Sequence, residues 1–300
     1  MVHGKKFAGA IAGLASAGGF TWITQVEPDE DVMKKDMQKR TKISLSPILQ
    51  AQTPKEIEII REGGKIMAKT MDKIVKFIKP GISTYDIDQY TYKIIKEGGD
   101  EPASLHYRPD NSYTPYPASI CISVNNEIVH GIPTKDTILK EGDIVSLDLL
   151  LKHNGYFTDH AVTVPVGKIT KKDQKLLDDT KGALEAGIWA AVGGATVGDI
   201  GFAIEKFVAK RYGIVRELSG HGVGKKIHED PYVPNYGKKG RGQKLIPGMI
   251  IAVEPMLNIG KAGIISMSDG WTIKTADGSR SAHFEHTILI TEGEPEILTK

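Results

Sequence analysis

Residues 143–164, DIVSLDLLLKHNGYFTDHAVTV, constrain the fold more than any other stretch of this chain. Two alternating, β-branched runs flank Asn154-Gly155, a strong short-range signal for a two-residue type I′ hairpin, whose central positions both need positive φ. A turn there sets the register: His153 pairs with Tyr156, and Asp148 lies opposite Ala161. Asp159 is then the diagonal neighbour of Asp148, and both carboxylates leave one face with Cβ atoms roughly 7 Å apart. Two acids so placed can share a pair of metal ions. The plainer reading is two solvated acids on an edge hairpin. Leu150 and Ala161 on the same face weaken it, because unpaired charge in apolar surroundings is expensive.

Two further acids sit in apolar runs: Glu254 ends the run in MIIAVEPM, and Glu285 lies inside HFEHTILI. A glutamate in a buried strand needs either a Lys or Arg partner or a cation. Four carboxylates balance two divalent cations, and oxygen-rich ligands suit Mn, Fe or Co, with Zn also accepted. The single cysteine, Cys121, excludes a thiolate metal cluster and an intrachain disulfide framework and suits a reducing compartment, so any metal must use His, Asp and Glu. Residues 219–231, SGHGVGKKIHEDP, supply His221 and His228 seven positions apart. This is not the helical H-E-x-x-H pattern. Glycines at 220, 222 and 224 would each cost a helix interior about 1 kcal/mol, which places His221 on a strand or loop. The two histidines are therefore expected to have different jobs.

At 300 residues and 40% hydrophobic content the chain can bury one large core or two smaller ones, and its net charge of +2 gives no bulk argument for binding nucleic acid. Residues 1–50 read as an N-terminal extension. Residues 7–26 carry no charge, follow Lys5 and Lys6, and precede the acidic run EPDED. A membrane anchor, an organelle-targeting segment and a disordered extension are the three readings. If the segment inserts, Lys34, Lys35, Lys39, Arg40 and Lys42 keep the main domain cytosolic by the positive-inside rule. The compact domain spans 51–300. TPKE at Thr53 is a capping box opening a helix to about Lys79, and STYD at Ser83 opens one that Gly98 closes. TKKD at Thr170 and TVGD at Thr196 open two more, ending near Gly193 and Gly213. Strands follow each pair, so helices then strands occur twice, over 53–166 and 170–292. That order predicts an α+β domain of two similar halves.

Taken together, SVNNEIVHGIP, the Asp148/Asp159 hairpin, GHGVGKKIHEDP, IIAVEPM and SAHFEHTILIT resemble methionine aminopeptidase of type I, from Thr53 to Thr299, as five separated motifs in family order. The resemblance implies the α+β pita-bread fold with two pseudo-symmetric halves. It implies two divalent ions (Co, Mn, Fe or Zn) held by Asp148, Asp159, His221, Glu254 and Glu285, with Asp159 and Glu285 bridging. It implies that His130 and His228 face the substrate without binding metal, that Glu254 doubles as general base, and that Tyr116, Cys121 and Trp271 belong to the methionine pocket. The reaction implied is removal of the N-terminal methionine from nascent proteins with a small second residue, by a cytoplasmic monomer that binds no DNA.

Departures from the family pattern are Ile227 where many members carry Phe, and a loop SLHYRPDNSYTPYP longer than the matching bacterial one. The path from His221 to Glu254 leaves no room for the helical insert of type II members. A prolidase or Xaa-Pro aminopeptidase is the nearest rival, but such chains usually carry a folded N-terminal domain. A non-catalytic ribosome-binding relative would be expected to have lost ligands. Of the other histidines, His153 is expected to be exposed in the hairpin turn, while His160 and His286 project away from Asp159 and Glu285. The run KKGRGQK reads as a solvated loop, with contact to ribosomal RNA by charge as the alternative.

Overall fold

The structure is a computed structural model describing residues 51–109 and 114–300. The uncharged stretch 7–26, with its membrane and targeting readings, lies outside the described residues. Among the described residues no helix is long and apolar enough to cross a membrane.

The helices start where capping chemistry puts them. Helix α1 (Pro54–Phe77) opens on the expected box, with Thr53 N–H donating to Glu56 and Glu56 N–H to Thr53 Oγ1. Helix α2 (Thr84–Glu97) is capped by Ser83 and ends at Gly98. Thr170 accepts from Asp173 N–H at the start of α3 (Lys171–Trp189). Asp199 accepts from both the backbone and the hydroxyl of Thr196 at the start of α4 (Val197–Val208). The ends come earlier than expected. Lys79 precedes Pro80, which disfavours helical backbone at the residue before it, and α1 stops at Phe77. Helix α4 ends with Ala209 at φ 48, not at Gly213. Gly213 has a packing role instead: a Cβ there would lie 2.4 Å from the Lys261 carbonyl carbon.

The largest sheet contains β1 (Glu101–Pro102), β2 (Cys121–Val124), β4 (Ile144–His153), β5 (Tyr156–Pro165), β7 (Ser219–Gly222), β8 (Glu229–Pro234), β9 (Ile250–Val253), β14 (Glu285–Leu289) and β15 (Glu296–Ile297), after β3 (Glu127–Val129) and β6 (Gly213–Ile214) in other sheets. Its order is β1-β4-β5-β14-β9-β7-β8, with β2 on β4 and β15 on β14. The hairpin β4–β5 has the register the turn dictates, His153 on Tyr156 and Asp148 on Ala161. Antiparallel pairing of β5 with β14, Glu285 on Ala161 and His286 on His160, joins the two halves.

Alternation sorts the two faces. Leu147, Leu149 and Leu151 pack with Met67, Met71, Ile74 and Ile87 of α1 and α2, so Asp148 and Leu150 must face the other way. In the second half Leu184, Ile188, Ile200 and Ile204 of α3 and α4 share a core with Ile251, Val253 and Ile288. The run HFEHTILIT, expected as one strand, is broken at Phe284. Before the break, β13 (Ser281–His283) pairs with β10 (Met256–Asn258) in a smaller sheet, and after it β14 joins the large one. Glu254 lies at the matching break between β9 and β10. His153 is not exposed in the turn as expected. It ends β4, half-buried, with Nδ1 2.7 Å from Asp100, because β1 pairs with the end of β4, Glu101 on Lys152, and brings that acid alongside.

Candidate metal centre

Strands β4, β5, β7 and β14 and the break after β9 bring the expected donors together. Asp159, His221 and Glu285 each offer a ligand atom within 4.8 Å of one another. Glu254 joins them through His221, whose Nε2 lies 3.5 Å from Glu254 Oε1 and 3.7 Å from Asp159 Oδ2. Asp148 borders the same cavity as these four. Backbone contacts hold the donors: Asp159 N–H donates to Thr287 Oγ1 at 2.9 Å, Thr287 donates back to the Asp159 carbonyl at 2.8 Å, and Asn235 Nδ2 donates to the Glu254 carbonyl at 3.0 Å. His221 Nδ1 lies 2.9 Å from the Gly222 carbonyl. A carbonyl only accepts, so Nδ1 carries the proton and the Nε2 lone pair points at the acids, the tautomer a metal ligand needs.

The donor set fits divalent cations on grounds internal to the protein. Asp148 Oδ1, Asp159 Oδ1 and Glu285 Oε1 are buried without a hydrogen-bond partner among the described residues. Among the described residues, the side chains in ion-pair contact with Asp159, Glu254 and Glu285 are the imidazoles of His221 and His283, with no Lys or Arg. Without a cation, burial pushes Asp148 up to about 6 and Glu254 up to about 8. Burial, then the neighbouring acids, raises Asp159 and Glu285 well above the carboxylate range. Burial also lowers His221 to about 3 and His130 to about 4. In the metal-free state these contacts are thus neutral imidazoles against largely protonated carboxyls.

Those shifts predict a pH profile. A raised carboxyl contributes stability below its unfolded pKa that is lost as pH rises through the folded value. A lowered imidazole works the other way, its contribution being lost as pH falls below the unfolded value of 6.5. Between 6.5 and the Glu254 value of about 8 only the carboxyl effect acts. One proton corresponds to about 1.4 kcal/mol per pH unit, so Glu254 alone is expected to cost the chelated protein about 2 kcal/mol over that window, with the raised Asp159 and Glu285 acting in the same direction. Thermal unfolding after chelation, with and without added Mn, checks this: the loss should vanish with metal, and a flat metal-free profile contradicts it.

A cavity of about 310 Å³ stands over the donors, and all ten residues singled out from the sequence line it. The Trp271 ring meets Tyr116 edge-on at 5.2 Å, and the Tyr116 hydroxyl donates to the Gly131 carbonyl at 2.8 Å. Cys121 is buried, and burial followed by Asp148 raises its thiol well above the ordinary value, which keeps it a neutral wall residue. Ile227 occupies the wall beside His228. His130 is held at φ 58, a left-handed conformation uncommon outside glycine that concentrates at functional sites. The His228 ring stands 4.3 Å from that of His221, and its Nδ1 is 2.6 Å from the Tyr107 hydroxyl.

Two residues at the site went unnoticed in the sequence. Tyr107 sits in an aperiodic loop where no pattern marks it. His283 was legible, since it precedes Glu285 by two and so shares its face.

Residues 58–292 match the family model of metallopeptidase family M24. Methionine aminopeptidase 1 of Bacillus subtilis is 45% identical over 250 residues, 83% of this chain and 98% of that protein. The crystal structure of methionine aminopeptidase from Rickettsia prowazekii is similar at a TM-score of 0.81 and 38% identity, over 84% of this chain and 100% of that one. Prolidase from Pyrococcus furiosus, at TM-score 0.66 and 24% identity over 83% of this chain and 65% of that one, shares the fold alone. The pita-bread α+β architecture expected from the sequence is thus the observed one, and the prolidase alternative is not favoured. The chain belongs to metallopeptidase family M24, among its methionine aminopeptidases.

Proposed function

We propose that this enzyme removes the N-terminal methionine from nascent polypeptides whose second residue is small, using two divalent ions, Co, Mn, Fe or Zn, held by Asp148, Asp159, His221, Glu254 and Glu285. The observation that carries the reading is the placement of these donors on the floor of a cavity walled by Tyr116, Cys121, Ile227 and Trp271. An unbranched thioether suits such a wall, because sulfur makes favourable contacts with aromatic rings and an unbranched chain fills irregular gaps. Bound divalent ions would supply Lewis acidity toward the scissile carbonyl and toward the attacking water.

The chain's own groups do the rest. Glu254, bordering the cavity beside the other donors, would take a proton from the water as general base. Donation by the Tyr107 hydroxyl to Nδ1 would keep the His228 proton on Nε2, and burial lowers its pKa, which favours the neutral ring. A neutral Nε2–H facing the cavity is a donor for the developing oxyanion. His130, fixed by its backbone, orients the amide of the second residue. Cleavage of Met-Ala-Ser against Ala-Pro, with Mn or Co added, tests the proposal: methionine release supports it, and a preference for Ala-Pro overturns it.

The catalytic unit is proposed to be residues 51–300. A chain beginning near Leu45 is expected to keep kcat/KM on Met-Ala-Ser within about twofold, since every proposed site residue lies after Thr53. A tenfold loss would assign the first residues a catalytic part. Residues 238–244 have a structural job, capping α4 through Gly198 N–H to the Arg241 carbonyl and Gly240 N–H to Asp199. Contact of their side chains with the ribosome would be salt-dependent.

A further inference from the structure

His283 is the buried imidazole near the metal centre that the reaction as described leaves without a task. It is 1% exposed and closes β13, two residues before Glu285. Its backbone is fixed on both sides: its N–H donates to Thr163 Oγ1 at 2.8 Å, and the Thr163 hydroxyl donates to its carbonyl at 2.8 Å. The ring has no such anchor. Nε2 stands 3.5 Å from Glu254 Oε2 and 3.9 Å from Glu285 Oε2, and among the described residues neither ring nitrogen has a hydrogen-bond partner. A buried polar side chain without a partner is rare enough to need a reason.

The reason lies in how Glu254 is held. Its carboxylate lies between two imidazoles, with Oε1 3.5 Å from His221 Nε2 and Oε2 3.5 Å from His283 Nε2. His221 turns a lone pair toward this group, because its Nδ1 proton is committed to the Gly222 carbonyl. His283 carries no such commitment and is free to present N–H.

We propose that His283 is a positioning residue of the metal centre: its Nε2–H holds the Glu254 oxygen turned away from His221, leaving the other oxygen aimed at the ligand cluster. Ligating carboxylates depend on outer hydrogen bonds of this kind for their orientation. The 3.5 Å separation is longer than a formed N–H···O bond, and a shift of about 0.5 Å closes it. Service as a further ligand is the weaker reading, since His283 does not line the cavity that all five proposed ligands border.

The inference rests on Glu254 being a ligand, and the test separates the two ideas. Full-length protein is stripped with a chelator and titrated with Co(II), following heat and visible absorption. His283→Leu is expected to weaken binding of one ion about 10–100-fold, the usual effect of losing an outer hydrogen bond. His283→Gln, which restores an N–H donor and is a poor ligand, should bind within about threefold of the native protein with an unchanged Co(II) spectrum. Glu254→Gln should lose that same ion. Native affinity in His283→Leu, with the ion lost in Glu254→Gln, overturns the positioning role alone. Native affinity in Glu254→Gln overturns the ligand reading as well. Equal weakening in the Gln and Leu variants also overturns the donor role, and His283→Asn, whose amide is shorter, replaces Leu if that variant does not fold.

Discussion

Asp159→Ala is expected to give a folded protein with no measurable release of methionine from Met-Ala-Ser, even in excess Mn. On the proposed reading Asp159 bridges the two ions, so no single neighbour replaces it. The fold should survive because β5 is held to β14 at this point through Thr287, by bonds to the backbone of residue 159 that do not use its side chain. Burial, then the adjacent acids, raises the Asp159 pKa, so in the metal-free state its removal takes away a buried carboxyl rather than a partnered charge. Metal assistance supplies several kcal/mol of transition-state stabilisation, and each 1.4 kcal/mol is a factor of ten, so the loss should exceed about 10³-fold. Metal analysis decides the cause. Two tightly bound ions per chain in the variant would remove Asp159 from the bridging role, whatever the activity.

Asp159 was legible because a hairpin is a local object. Asn154-Gly155 sets the turn, the turn sets the register, and the period of two then assigns every side chain on β4 and β5 to a face. The same period reached across β14, where Glu285 sits opposite Ala161 and His286 opposite His160. Helix starts were equally local, since each cap bonds to a residue three positions on. Helix ends were less so. The glycine at 213 looked like a stop signal, yet it is needed for a close approach to Lys261, a contact 48 residues away along the chain that no local pattern reveals. The break at Phe284 likewise arises because β13 and β14 join different sheets. Tyr107 was out of reach for a related reason. Its partner, His228, is 121 positions away, and its loop has no periodicity from which to infer a face. His283 stood within reach of the alternation rule that had already placed His286.

The two histidines of SGHGVGKKIHEDP should separate in a single metal titration. His221→Ala removes an imidazole whose lone pair faces Asp159 and Glu254, so binding of one ion should weaken and added Mn should restore part of the activity. His228→Ala should respond to Mn no differently from the native enzyme. His228 is proposed to act only on the oxyanion, so its loss should lower kcat by about 10²–10³, or about 2.7–4 kcal/mol, with little change in KM. The 4.3 Å between the two rings makes the distinction demanding, because a residue this close to a ligand affects metal binding if it helps to hold it. Tyr107 provides the control. Tyr107→Phe removes the hydroxyl bonded to His228 Nδ1, which frees the ring to place its proton on either nitrogen. A fall in kcat without any change in Mn affinity is expected, smaller than for His228→Ala. Equal rescue of His221→Ala and His228→Ala by Mn would show that both imidazoles serve the metals and that the oxyanion is stabilised by some other group.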